Sequence, residues 1–563
     1  MLNDFKGKGI SLEDHLTEIF TEKGAILGIP SDLCKVVYSN KGADFQCNGA
    51  FASAKILKKS PLKIAQDWVE LFSGDDSVVV EVAGSGFINI WVSGELLSSY
   101  CNEALLDEDL LVAKTHSPKK IVFDFGGYNA AKQLHVGHLK STIIGDTLSK
   151  IYKFFGDEVV TDVHLGDWGL QMGLLIEAVK EKHPEWPYFG EGGDFDCPLT
   201  IGDLNELYPK ASLKSKSDAD FHAKASLATK ALQSGDVGYT ALWEHFVEVS
   251  IDSIKKDITK FGVDFDLWNG ESTTQVIIND LVEDLVDTGL AHESDGALIV
   301  PVSGSAPLIL QKGDGGFTYA TSDLANIFLH EVDGAEEIYY VVGSPQQLHF
   351  KQVFSVAQAY GLKPKCTHIK FGSICGSDGK AFKTKAGGTV KLSEVYSEVL
   401  KSAQEKSPNL ETAHKVAVAA IKFGDLINHL ESDYILDLES ICSFEGKTGP
   451  YLQYSACKIK SILSKASDVG LVGDGISISS VSEKKLALEL SKFPTVLNQV
   501  KEKNTPHLLC EHLFKVGQAF GTFYHSCNIL KEKSGSKLSL AELTLETLEL
   551  GLSLLGIEIP DQL

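Results

Sequence analysis

Arginine is absent from this 563-residue chain, so all 52 basic side chains are lysine. At an ordinary arginine content of roughly 5%, about 28 would be expected. Chance does not account for that gap. Methionine is nearly missing too, occurring only as Met1 and Met172. No apolar run approaches the roughly 18 residues that a membrane-crossing helix needs. The segment Met1–Lys8 is polar and acidic where a secretory signal would be apolar. The ten cysteines are scattered and form no C-x-x-C pair. That spacing predicts reduced thiols in a cytosol, not a disulfide framework or a zinc site. Positive charge is also short: 76 acidic residues against 52 lysines leave a net charge of −24. The balance excludes bulk, non-specific nucleic-acid binding and leaves room for a local basic surface. What is present is ordinary globular composition, 43% hydrophobic and 23% charged.

The length predicts three or four domains. Residues 1–112 read as a small α+β unit. Helical periodicity runs over Ser11–Lys23 and Lys63–Phe72, and a strand–turn–strand pattern crosses Gly84-Ser-Gly86. The polar stretch 112–120, with Pro118, reads as a linker. Residues 113–408 carry βαβ material of a Rossmann-type α/β domain: an apolar strand at Ile121–Phe125, a small-residue loop, a helix from about His138 to Phe155, then a strand at Val159. A polar, mostly helical insertion spans about 176–260. Residues 409–563 are periodic throughout and predict an all-α bundle.

The segment Asn129-Ala-Ala-Lys132-Gln-Leu-His135-Val-Gly137-His138-Leu-Lys140 lies where the first strand of that βαβ unit feeds its helix. Such a junction offers unpaired N–H groups and the positive helix end to an anion. Gly137 lets a ligand approach the backbone closely. His135 and His138 can donate hydrogen bonds to a phosphate gaining charge, and Lys132 can add a point charge. Read alone, His-x-x-His is also compatible with half a metal site or with two surface histidines. No third ligand lies nearby in sequence, so no metal site is predicted.

This block resembles the first signature of class I aminoacyl-tRNA synthetases, His-x-Gly-His. The wider match is closest to arginyl-tRNA synthetases. Further stretches carry the resemblance: Asp44–Gly49, Gly84–Ile90, Ser141–Asp146, His164–Gly169, Gly270-Glu-Ser272, Asp314–Asp323, Gly376–Lys385 and Glu445–Tyr454. The resemblance implies ATP-dependent ligation of L-arginine to an arginine tRNA through arginyl-adenylate, with activation that needs bound tRNA. It implies ATP binding by Lys132, His135, Gly137, His138, Gly372, Lys383 and Lys385. Of these, Lys132, His135, His138, Lys383 and Lys385 would be catalytic. Lys383 and Lys385 align with the degenerate second signature, and Lys132 matches a lysine that compensates for its weakness. Mg²⁺ would arrive with ATP and not at a protein-held site. Arginine would be held by Asp124, Asn129, Tyr319, Asp323 and Gln346. Acids are the expected partners of a five-donor cation. Trp168, in Gly-Asp-Trp-Gly, is a further candidate.

For tRNA, the resemblance points to Phe87 and Asn89 in the N-terminal unit, and to Tyr451, Gln453, Tyr454 and Lys458, with Lys460, in the bundle. A cytoplasmic, monomeric enzyme is expected. The rivals are another nucleotidyl transferase with this signature, a class I synthetase for a different amino acid, and a catalytically dead tRNA-binding relative. The chain departs from the family at Tyr128 (usually proline), Lys140, Ser322 and Lys385 (usually arginine), and at Gly343-Ser-Pro345-Gln. A lysine does not reproduce a guanidinium fork, so reduced turnover is expected.

Overall fold

The computed structural model describes residues 5, 9–39, 42–190, 196–313, 315–376 and 390–563. In the N-terminal unit four antiparallel strands, β1 (Val36–Tyr38), β2 (Phe45–Cys47), β3 (Val78–Ala83) and β4 (Phe87–Val92), lie in the order β1-β2-β4-β3. Strict alternation in β4 buries Ile88, Ile90 and Val92 and turns Phe87, Asn89 and Trp91 to the other face. Helices Leu12–Ile26, Pro61–Glu70 and Gly94–Leu106 cover the apolar side. Each starts on a serine cap, Ser11, Ser60 or Ser93.

The central unit is built on four parallel strands, β5 (Lys120–Asp124), β6 (Glu158–Asp162), β10 (Glu337–Gly343) and β11 (Lys365–Phe371), ordered β11-β10-β5-β6. This is the Rossmann-type arrangement expected from the sequence. The helix Val136–Phe154 is the crossover from β5 to β6. Chain order reverses between β5 and β10, which opens a crevice beyond their carboxyl ends. Helices Leu170–Lys182, Ile201–Ser217, Ala219–Gln233 and Val237–Ile258 form the insertion. A small antiparallel sheet, β7 (His292–Ser294), β8 (Ala297–Val300) and β9 (Leu308–Gln311), leads into helix Tyr319–Val332.

The C-terminal unit is helical, from Leu410–Leu426 to Gly535–Leu554. Its first helix packs on Val136–Phe154 through a fully buried ion pair. Lys422 Nζ lies 3.0 Å from Asp146 Oδ2 and donates to the Gly556 carbonyl at 3.0 Å, while Lys150 reaches the same Asp146 oxygen at 2.6 Å. Gly556 has φ +65°, and a Cβ there would stand 2.3 Å from Lys422 Nζ. The N-terminal unit is tied to the bundle by Asn102 on both sides of the Ile476 peptide and by Lys484–Asp44 at 2.8 Å. The ten cysteines are unpaired. Among the described residues, no helix is long and apolar enough to cross a membrane.

Candidate active site

His135 caps the crossover helix. Its Nδ1 accepts from the Gly137 amide at 3.1 Å, and its own amide donates to His138 Nδ1 at 3.1 Å. The two rings stack with centroids 3.8 Å apart. With both Nδ1 atoms accepting, each ring carries its proton on Nε2 and is neutral. Burial, the His135 ring and Lys132 push His138 down to about 3. Burial and Lys132 lower His135 as well. The signature therefore presents two neutral N–H donors fixed by the backbone of their own helix start. A Cβ on Gly137 would come 2.9 Å from the His135 ring, which explains the residue between them.

Lys132 Nζ donates to Asn129 Oδ1 at 3.2 Å and lies 5.2 Å from the centre of the Tyr208 ring, which the insertion supplies. Asn129 pairs with Gly166 in a short parallel bridge, and Ala130 N donates to Gly166 O at 3.0 Å. Tyr128 is buried, its hydroxyl 2.6 Å from Thr142 Oγ1 and its ring edge-on to His138. The departure from proline thus adds a buried wall to the histidine pair.

Next to this lies a cluster of acids. Asp124 ends β5, fully enclosed, and burial, Asp162 and Asp323 raise its carboxyl well above the usual range. Asp323, one turn into helix Tyr319–Val332, is hydrogen-bonded to His349 Nε2 and lies 3.9 Å from His164 Nε2. Tyr319 opens that helix one turn earlier, exposed at the mouth, so the helical spacing holds. Glu271 is pushed up to about 8 by burial, Asp167 and Asp323, against the pull of Lys132. Burial raises Asp162, but a hydrogen bond and charge from His330 leave it lowered overall. Asp167 receives Ser272 Oγ at 2.6 Å and Ser272 N at 3.0 Å. A Cβ on Gly270 would meet its carboxylate at 2.3 Å. The stretches His164–Gly169 and Gly270–Ser272, quoted separately from the sequence, are therefore one structure.

Sequence reasoning gave Glu271, His164 and His349 no role. Glu271 sits inside Gly270-Glu-Ser272, and an isolated Gly-Glu-Ser carries no sign that Asp323 and Lys132 will face it. Gln346 lies in the single turn Ser344–Gln346 beyond β10, exposed on the rim and not inside the acid cluster. Trp168 packs edge-on to Trp243 at 5.2 Å. Gly372 is buried, its amide donating to Leu430 O at 2.9 Å. Lys383 and Lys385 fall outside the described residues. On either side of that stretch, Val136 N donates to Val390 O at 3.1 Å, and Ile374–Cys375 pairs with Tyr434–Ile435. Among the described residues no three His, Cys, Asp or Glu side chains stand ready for a metal ion.

Of the expected tRNA contacts, Phe87 and Asn89 share the outer face of β4. Phe87 is 38% exposed against Phe51, and Asn89 Oδ1 accepts from Gln46 at 3.0 Å. Tyr454 is exposed, Tyr451 is half-buried against Phe514, and Lys458 Nζ sits 4.0 Å from the Tyr524 ring centre. One expectation needs correction. Gln453 is fully buried, with its amide donating to Lys415 O at 3.1 Å and Glu558 O at 2.6 Å, so it ties the bundle together and does not reach outward. Lys460 is half-buried and forms an ion pair with Glu549 at 2.9 Å.

Comparison with known proteins agrees with this layout. Models of three families match: the arginyl tRNA synthetase N terminal domain over 12–92, the class I (R) tRNA synthetase catalytic domain over 101–438, and the DALR anticodon binding domain over 452–563. An arginine–tRNA ligase of Francisella tularensis subsp. novicida is 40% identical, covering 98% of this chain and 100% of its own. One from Hyphomonas neptunium is 43% identical, covering 92% and 94%. In fold, the chain is similar to the arginyl-tRNA synthetases of Plasmodium falciparum (TM-score 0.81, 24% identity) and Thermus thermophilus (TM-score 0.78, 23% identity), each covering 98% of this chain and 100% of the solved one. With full-length relatives at this identity and a matching model on each of its three units, the chain belongs to the arginyl-tRNA synthetase family and is a class I arginine–tRNA ligase.

Proposed function

We propose that the chain charges arginine tRNA in two steps. The arginine carboxylate attacks the α-phosphorus of ATP and pyrophosphate leaves. A ribose hydroxyl of the tRNA 3′ adenosine then attacks the acyl carbon and AMP leaves. Neither step needs a side-chain nucleophile; both need alignment and stabilisation of charge on phosphate oxygens. The neutral His135 and His138 donors suit that task, because they hydrogen-bond a phosphate without forming a fixed ion pair with the ground state. Lys132, Lys383 and Lys385 would supply charge, and Gly137 and Gly372 close approach to the nucleotide. Mg²⁺ accompanies the ATP phosphates.

The observation that carries the reading is the acid cluster beside the histidine pair. Asp323 and Glu271 offer carboxylates to a guanidinium, while Asp124 and Asn129, nearer the signature, suit the α-amino end. Tyr319 and Gln346 stand at the rim. For tRNA, Phe87 and Asn89 form one outward patch, and Tyr454, Tyr451 and Lys458 another. Aminoacylation of an arginine tRNA transcript tests the reading, with lysine, cysteine and glutamine charged side by side. Transfer of any of these in preference to arginine refutes it. Pyrophosphate exchange with and without tRNA tests whether activation needs tRNA; equal rates would refute that part.

The same reading extends to composition. An arginine-free ligase is translated without its own product, and even Lys140, Ser322 and Lys385 avoid arginine. We infer selection or design for that property, at reduced turnover. Synthesis in an arginine-depleted translation system, followed by recovery of arginine charging, is the expected result. Turnover equal to arginine-containing relatives would overturn the reduced rate. We also assign the chain to the cytoplasm as a monomer, which light scattering of the purified protein checks for oligomeric state.

A further inference from the structure

The crossover helix Val136–Phe154 and the first bundle helix Leu410–Leu426 exchange buried charges in both directions. Asp146 of the first meets Lys422 of the second, and that pair is fully satisfied. Lys140 of the first faces Asp425 of the second, and that pair is not. Lys140 is 2% exposed and its Nζ has no hydrogen-bond partner among the described residues; Asp425 Oδ2 is likewise buried without one. Tyr434 mediates between them. Its hydroxyl donates to Asp425 Oδ1 at 2.7 Å, and its ring centre lies 4.9 Å from Lys140 Nζ.

Lys140 and Asp425 are not within ion-pair distance, and a buried cation and acid with loose ends are poor glue, since apolar side chains of the same volume hold helices together at least as well. What distinguishes this pair is its location. Lys140 is one turn beyond Gly137 on the crossover helix. The other groups around it are Asp433 and Cys375. Those residues belong to a knot in which Ser373 N donates to Asp433 Oδ1 at 2.6 Å, Tyr434 N to Ser373 O at 3.2 Å, and Gly372 N to Leu430 O at 2.9 Å. The described residues assigned to ATP thus fall into two groups. Lys132, His135, Gly137 and His138 sit at or just before the crossover helix start, and Gly372 sits on the knot. Lys140 spans the two. Of the residues assigned to arginine, Tyr319 and Asp323 lie on another helix, while Asp124 ends β5 and Asn129 lies in the loop before the signature.

We propose that Lys140, Tyr434 and Asp425 are positioning residues that set the spacing of the two nucleotide-binding segments and leave the arginine pocket untouched. The inference rests on the functional reading above. Its test is calorimetric titration of the full chain with ATP and, separately, with L-arginine, for the unsubstituted protein and for Tyr434→Phe, Asp425→Asn, Lys140→Met and Lys140→Arg. ATP affinity should fall about fivefold or more in the first three, with arginine affinity nearly unchanged. Lys140→Arg, which keeps a cation over the Tyr434 ring, should bind ATP at least as well as the parent. Tyr434→Phe removes one oxygen and keeps the proposal testable if Lys140→Met fails to fold. Unchanged ATP affinity in Tyr434→Phe, or equal losses for both ligands, overturns the inference alone. If the unsubstituted chain binds neither ligand, the functional reading falls and takes the inference with it.

Discussion

In the proposed arginine pocket, Glu271 would make arginine binding a proton-releasing event. Burial, Asp167 and Asp323 push its carboxyl up to about 8 from an ordinary 4.5, so at neutral pH the empty site holds it mostly protonated. A guanidinium binds the ionised form. With a midpoint near 8, the ionised fraction is about 1% at pH 6, about 9% at pH 7 and about half at pH 8. Apparent arginine affinity should therefore rise about 50-fold between pH 6 and 8 and flatten above, releasing about 0.9 proton at pH 7. Titration calorimetry in buffers of different ionisation enthalpy measures both. Asp124, also raised by burial, adds to the total; the part removed by Glu271→Gln belongs to Glu271. That variant should lose most of the pH slope and, at pH 8, about 2–3 kcal/mol of arginine binding for one charged hydrogen bond. The sign for folding is opposite. A carboxyl raised in the folded state favours folding while protonated, so the ligand-free protein loses that contribution as pH climbs from about 4.5 through about 8. Arginine affinity that is flat from pH 6 to 8, with no proton released, would refute the assignment of Glu271 to the guanidinium.

Three further outcomes are expected. His138→Ala should lower charging by about 10²–10³-fold while tRNA affinity by filter binding stays near the parent's; persistent charging would move the chemistry elsewhere. Gly270→Ala drives a Cβ to 2.3 Å from the Asp167 carboxylate, and urea unfolding should show a loss of about 1–3 kcal/mol with arginine binding weakened. Burial, Glu542 and Glu549 push Glu546 up to about 7, so Glu546→Gln should raise the thermal midpoint at pH 8 by about 1–2 °C and do little at pH 5.

The histidine signature is legible in sequence because its residues are local and their spacing matches one helical turn. Its protonation state is not, since that depends on Nδ1 atoms accepting from particular amides. The βαβ reading holds for the same reason: Ile121–Phe125, a helix and Val159 announce themselves by period and length. Glu271 stays silent because its neighbours Asp323 and Lys132 come from distant segments. Gln453 reads as one more polar residue on a periodic helix. The Lys415 carbonyl, 38 residues back, and the Glu558 carbonyl, 105 residues on, decide that it points inward. Lys140 is likewise visible as a departure from a motif, while Asp425 and Tyr434, which give the departure its meaning, are contributed by the C-terminal half.

The anchoring of His135 and His138 has an evolutionary corollary. Each ring is held by a main-chain amide, His138 by that of His135 and His135 by that of Gly137. Replacing one side chain leaves the other ring's anchor in place and removes only the stacking between them. A lineage can therefore lose this signature one histidine at a time, keeping a single oriented donor on the way.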